Sequence, residues 1–347
     1  MPQPLEYAVS RATTPGPRRR ARLVAAVALA AALLVPAVPF TAGADEALEQ
    51  ELTTTTTQTL TVNWATWLPS YISEYTPGSS DECLAGKDNC ATKTVKEMTK
   101  RLDALTATCD HNAVFSLAYT RITQGYTWIR DTVDANGVPH YEDKAWLNYV
   151  VETFARAYLW AFDEWSSRGT EAPLAWQIAF DAAATSRITG TGDLLLGINA
   201  HINRDLPFVM AAAGLVRPDG MSGKPDYDKV NELLLRLTKP LTAELSARLD
   251  PSMANGDGSL ADPASYQLIV GWRERAWRNA EDLVRARSDD ERELVAQRIE
   301  KDAAAEAALL LASNSYAPPL TTTKPRDNHC AAHNADPPPQ NYPFALK

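Results

Sequence analysis

The amino-acid sequence predicts an all-α fold: a single irregular helical domain of about eight helices around a buried central helix. Apolar residues recur at helical spacing over residues 95–311, and alternating strand patterns are essentially absent. Residues 190–207 are apolar on nearly all sides, which is typical of a buried helix. Because prolines interrupt several helices, a regular up-and-down bundle is not expected.

Residues 1–44 have the features of an export signal. Five arginines precede an apolar, alanine-rich run over residues 23–40, and Ala42, Gly43 and Ala44 have the small-x-small form of a cleavage site. We therefore expect a secreted mature chain without stable membrane insertion. The alternative is a retained anchor, because the apolar run is long, although two prolines interrupt it.

The rest of the chain divides by composition. Residues 45–63 form a Thr-rich linker with five successive threonines. Residues 64–316 carry the helical pattern, and residues 317–347 form a Pro-rich tail that is expected to be mostly irregular.

The charge balance narrows the class of partner. The chain has 34 basic and 43 acidic residues, a formal charge of −9, and the signal contains five of the former and one of the latter, which leaves −13. Such an acidic chain is a poor match for nucleic acid or an anionic membrane. The expected partner is a small-molecule ligand.

Helical spacing predicts the elements in order: residues 95–105, 114–129, 141–165, 172–187, 190–207, 224–249, 263–287 and 289–313. Thr191 or Asp193 is expected to cap the central helix, and Pro207 to mark its end. Pro240 is expected to kink or split the helix over residues 224–249.

An exported chain with an even number of cysteines is expected to form disulfides. Three pairings are open, and we favour Cys83–Cys90, which closes a short loop, and Cys109–Cys330, which ties the tail to the end of the first helix. The alternative is a metal site at the tail cluster around Cys330, which contains Asp327, His329, His333 and Asp336.

His201 and Asp205 are the leading candidate catalytic residues. Their i, i+4 spacing places them on one helix face, close enough to interact or to ligate one divalent metal together. An acid/base dyad and part of a metal site are the functional interpretations. The structural interpretation is that Asp205 orients His201 and both satisfy groups on crossing helices.

Further polar residues are candidate ligand-binding residues: Asn199, Asn203, Arg204, Asp228 and Asn231. The last two lie in the helix that follows Asp226, which is a candidate cap for that helix. Gly197, one turn before His201, indicates either close helix packing or room for a ligand. Aromatic residues that precede the central helix either line a groove or form core: Tyr119, Tyr126, Trp128, Trp146, Tyr149, Tyr158, Trp160, Trp165 and Trp176.

The run Leu196-Gly-Ile-Asn-Ala-His-Ile-Asn-Arg-Asp-Leu-Pro207 resembles the signature of a bacterial, mainly actinobacterial, family of unknown function. The resemblance extends over residues 95–311 and includes the pairs Val114/Phe115 and Ala175/Trp176. It implies a helical domain centred on the motif and no particular reaction. Two function classes remain open: a secreted hydrolase-like enzyme that uses His201 and Asp205, and a non-catalytic extracellular module that binds an apolar or sugar ligand.

Overall fold

A computed structural model describes residues 73–168, 172–254 and 262–346, and the regular structure in these ranges is helical. The α-helices are α1 (Asp88–Ala107), α2 (Ala113–Ile129), α3 (Lys144–Arg168), α4 (Leu174–Ala184), α5 (Gly190–Asn199), α6 (Leu206–Ala213), α7 (Lys224–Arg248), α8 (Pro263–Arg285), α9 (Asp289–Asn314) and α10 (Lys324–His333). Only isolated bridge pairs, and no strands, occur in these ranges. The all-α prediction is confirmed; the expected signal and linker lie outside the described residues.

The central segment is a continuous helix in three parts. α5 passes at Ala200 into a π-helical turn, Ala200–Asp205, which passes directly into α6. In this turn the Leu206 N–H donates to the carbonyl of His201, five residues earlier. The turn contacts α3, α4, α8 and α9, which together enclose it. The buried central helix predicted from its apolar composition is therefore confirmed.

Both expected limits of this helix are wrong. Thr189, rather than Thr191 or Asp193, caps α5, because its hydroxyl accepts a hydrogen bond from the Gly192 N–H at 3.1 Å. The helix also continues through Pro207 to Ala213. Pro207 is tolerated because it occupies the first turn of α6, directly after the π turn, where a missing N–H costs little.

Prolines have less effect elsewhere than expected. α7 runs without a break through Pro240, so the proline does not split it. The tail is not wholly irregular either, because α10 begins with Pro325 in its first turn, where proline is favoured. Buried contacts then hold the tail: the Tyr342 hydroxyl donates to Glu244 at 2.7 Å.

Two disulfides fasten the ends of the described chain. Cys83–Cys90 and Cys109–Cys330 are both formed, with Cα–Cα distances of 5.2 Å and 5.9 Å, which confirms the predicted pairing. The second bond joins the end of α1 to α10, across 221 residues of sequence. None of the described helices is long and apolar enough to cross a membrane.

Candidate functional site

The site is built around the Asp205 carboxylate at the end of the π turn. Its Oδ2 lies 3.3 Å from His201 Nδ1 and accepts a 2.8 Å hydrogen bond from the Trp176 indole N–H. Its Oδ1 accepts from Arg204 at 3.1 Å. His201 is 3% exposed and Asp205 1%. The expectation that the two residues lie together on one buried helix is therefore confirmed.

The neighbouring candidates turn away from His201 toward α9. Asn199 donates to the Ala303 carbonyl at 2.9 Å and accepts from Asn203 at 2.8 Å. Arg204 also donates to Glu300 at 2.8 Å. These side chains satisfy the polar groups of a crossing helix, which is the structural interpretation of buried polar residues.

The His201 ring is held by aromatic residues on its other sides. It stacks on Phe154, with ring centroids 3.3 Å apart and planes 5° apart, and meets the Tyr119 ring edge-on at 4.2 Å. Burial lowers the pKa of His201 below its usual value, and the contact with Asp205 only partly opposes this. The ring is therefore neutral at physiological pH.

The hydrogen-bond pattern fixes which ring nitrogen carries the proton. A carboxylate only accepts hydrogen bonds, so the Nδ1 atom facing Asp205 is the protonated one. The Nε2 atom then carries a lone pair. It is buried and makes no hydrogen bond to any described residue.

A cavity of about 120 Å³ adjoins the ring, between the π turn and the helices α2, α3, α5, α6, α7 and α8. Fully buried residues such as Tyr126, Leu147 and Leu233 line one part of it. The cavity approaches the protein surface where its lining residues are only half-buried: Ile122, Val151, Phe154, Ile198, Val230, Leu234 and Tyr266. The volume approaches the roughly 150 Å³ of an apolar cavity that binds benzene in another protein.

The polar side chains of the lining are largely satisfied by the protein. Tyr227 donates to the Arg273 carbonyl, Tyr266 to the Asn231 carbonyl, and Thr238 to the Leu235 carbonyl. Two buried polar atoms of the lining have no partner among the described residues, His201 Nε2 and the Tyr119 hydroxyl oxygen. Chemically, the cavity is an almost wholly apolar space, and two of its lining residues carry a buried polar atom without a described partner.

The candidate residues of α7, Asp228 and Asn231, and the candidate cap Asp226 do not line the cavity. Asp228 is exposed and pairs with Lys224 at 2.6 Å. Asn231 accepts from Arg273 at 2.7 Å. Asp226 does not cap its own helix: its carboxylate accepts 2.8 Å hydrogen bonds from the backbone N–H groups of Glu142 and Asp143, directly before α3. Each of the three has a structural partner.

Possible metal ligands are scattered. Among the described residues that line the cavity, His201 is the only histidine, and no carboxylate is present. In the tail cluster Cys330 is in a disulfide, and His329 contacts the Ala247 carbonyl at 2.9 Å. The one group of potential ligands in the described ranges with its donor atoms close together contains Cys83 and Cys90, whose sulfurs are bonded to each other, and Glu152.

Gly197 has a packing role. A Cβ atom there would lie 2.4 Å from the Phe115 ring, so the glycine lets α5 approach α2 closely. Of the aromatic residues proposed to line a groove, Tyr119 and Tyr126 line the cavity, whereas Trp146, Tyr149, Tyr158 and Trp176 are buried in the core.

Sequence reasoning missed most of the lining. Val230 and Leu234 on α7, and Ile122 on α2, follow ordinary helical spacing, so nothing in the sequence separates them from core residues. The one available signal was a histidine inside an apolar helix.

Comparison with known proteins assigns a family and no activity. A family model described as "Family of unknown function (DUF5995)" matches residues 91–313, which include the central helix and the whole lining of the cavity. Neither a curated protein nor a solved structure was found to match the chain. The chain belongs to the DUF5995 family.

Proposed function

We propose that this chain is an exported binding protein that holds a small, largely apolar molecule in the cavity beside His201. The observation that carries the proposal is the cavity itself, which has a volume of about 120 Å³ and is lined almost wholly by apolar groups. Close packing leaves few such voids in proteins of this kind. Apolar space with a few polar groups is the usual character of a small-molecule site.

Export is supported by two features. The first 44 residues have the composition of a signal peptide, and two disulfides need an oxidising compartment to form and persist. The acidic balance of the chain also favours a small molecule over nucleic acid. The apolar lining favours an apolar ligand over a sugar, because a sugar would leave several hydroxyls without partners.

The expected affinity is modest. Burying about seven carbon atoms at about 0.8 kcal/mol each gives about 5.6 kcal/mol, which corresponds to a Kd of about 0.1 mM, and the cost of association moves the expected Kd toward about 1 mM. At ten times the Kd, a ligand stabilises the folded state by about 1.4 kcal/mol. For a chain of this size that raises the melting temperature by about 3 °C.

A thermal-shift titration with toluene tests the proposal. Val230→Phe extends a ring into the cavity from its half-buried wall and should abolish the shift. Leu235→Phe makes a similar change on the exposed side of the same helix and should preserve it. An equal shift for both variants, or none for the wild-type protein at near-saturating toluene, would contradict a ligand site in this cavity.

A hydrolase-like activity is the second candidate function. It is favoured by one observation: Asp205 holds Nδ1 while Nε2 has no partner in the described part of the chain, the arrangement in which a neutral imidazole can take up a proton as a general base. Hydrolysis of 4-nitrophenyl acetate by wild type and His201→Phe tests it, with elemental analysis of the purified protein for a divalent metal. Equal rates for the two proteins would count against this candidate.

A further inference from the structure

His201 Nε2, which has no hydrogen-bond partner among the described residues, restricts the polar group that a ligand of the cavity can carry. The Nδ1 edge of the ring faces Asp205, which is not part of the cavity lining, while His201 itself is. The opposite edge bears Nε2, which is buried and lies away from Asp205. His201 is only 3% exposed, so its Nε2 atom is shielded from bulk water.

A buried acceptor without a partner costs free energy unless a bound group supplies the hydrogen. In the tautomer that Asp205 imposes, Nε2 can only accept, so the group that satisfies it must donate. The Tyr119 hydroxyl, whose ring lies 4.2 Å from the imidazole, is the other unpartnered polar group of the lining and can donate in turn.

We infer that the ligand is a compact apolar molecule that carries one hydroxyl or amino group, and that this group donates its hydrogen to His201 Nε2. A hydroxyl suits these two side chains best, because it can donate to His201 Nε2 while it accepts from the Tyr119 hydroxyl. The inference rests on the proposed function, since it specifies the ligand of the same cavity. Asp205 acts here as a positioning residue that fixes the His201 tautomer.

The test compares ring compounds of closely similar size that differ in one substituent. Phenol and aniline donate a hydrogen bond, whereas toluene and fluorobenzene do not. Each is titrated calorimetrically into the wild-type protein and into His201→Phe, which keeps an aromatic ring and removes the acceptor. The ratio of the toluene Kd to the phenol Kd is expected to be at least about tenfold higher in the wild-type protein than in the variant, the effect of one buried hydrogen bond. Comparing ratios cancels the different hydration of the two compounds.

The outcomes separate the inference from the function on which it rests. If toluene binds and the ratio is the same in both proteins, the hydrogen bond to His201 is wrong and the apolar cavity site stands. If no compound binds the folded wild-type protein, both fail. Should His201→Phe not fold, the wild-type protein alone decides: after each affinity is corrected for the measured water-to-cyclohexane transfer free energy of the compound, phenol and aniline must bind more tightly than fluorobenzene, and equal or weaker corrected binding overturns the inference.

Discussion

Trp176 on α4 donates its indole N–H to Asp205 Oδ2 at 2.8 Å, and the same oxygen lies 3.3 Å from His201 Nδ1. One carboxylate thus fixes both an indole from a neighbouring helix and the imidazole that borders the cavity. With Arg204 on its second oxygen, Asp205 links the packing of α4 to the orientation of the candidate site.

Asp205→Ala should be strongly destabilising. It removes the acceptor of the Trp176 indole N–H and one of the two carboxylates that pair with Arg204, which keeps its contact with Glu300; removing one member of a buried ion pair typically costs about 3–5 kcal/mol. Urea denaturation measures the loss. Asp163→Ala is the matched control, because Asp163 pairs with Arg101 at 2.6 Å but is 60% exposed; its expected cost is below about 1 kcal/mol. Similar losses for both variants would mean that the Asp205 contacts are not a buried network.

Gly197→Ala should destabilise although alanine is the better helix former. The new Cβ would lie 2.4 Å from the Phe115 ring, and overpacking of this kind costs about 1–3 kcal/mol. Gly271→Ala on α8 is the control, since nothing lies within 4 Å of its added Cβ. That change should stabilise by about 0.5–1 kcal/mol. A stabilising Gly197→Ala in the same urea experiment would rule out the close approach of α5 to α2.

His201 should make the folded state sensitive to acid. Burial lowers its folded-state pKa below the unfolded value of about 6.5, so the unfolded chain binds more protons as the pH falls. The stability that the neutral ring provides is thus complete above about pH 6.5 and is lost as the pH falls through the folded pKa, by up to about 1.4 kcal/mol per pH unit. The charged group that contacts the ring is Asp205, and Arg204 pairs with Asp205 in turn.

The difference in unfolding free energy between wild type and His201→Phe isolates this effect from other titrating groups. Burial raises the pKa of Asp193 to about 7, for example, and that group acts in the opposite direction, because its contribution is lost as the pH rises. When urea denaturation is measured at pH 7.5 and at pH 5, the unfolding free energy of the wild-type protein should fall more at the lower pH than that of His201→Phe. A difference independent of pH would show that His201 does not titrate differently in the two states.

The two disulfides should contribute unequally. In the chain-entropy description, a crosslink across 221 residues contributes about 5 kcal/mol, and one across 7 residues about half as much. Replacing Cys109 and Cys330 with alanine should also expose the bond between Arg326 and Asp327 to trypsin, because α10 loses its covalent tie and Arg326 is buried in the intact protein. Replacing Cys83 and Cys90 should leave that bond protected. Equal cleavage of the two variants would mean that the polar contacts of the tail suffice.

Local patterns predicted the helices well, because each helix has apolar residues at helical spacing on the face that it buries. They failed at Pro207 and at Pro325, where tolerance depends on the position of the proline within a helix turn. The disulfide pairing followed from the expected helical order and loop lengths. His201 and Asp205 were found because polar residues inside an apolar helix must have partners. The identity of those partners, Trp176 among them, depends on how α4 crosses the central helix.

The cavity could not be predicted. It arises where six helices and the π turn fail to fill the space between them, and Val230, Ile122 and Leu234 individually resemble core residues. Asp228 and Asn231 were proposed as site residues from their polarity alone, and their partners Lys224 and Arg273 account for them. A void is a property of the packing of several elements, which single-helix spacing does not encode.

The most direct test is a crystal structure of the protein soaked in 4-bromophenol at a concentration that saturates binding in calorimetry. The bromine gives an anomalous signal that locates the ligand without assumptions about its pose. We expect one strong peak between α2 and α7, with the hydroxyl oxygen about 2.8 Å from His201 Nε2. A saturated crystal with bromine only outside the cavity, and none beside Ile122, Val230 or His201, would contradict the ligand site.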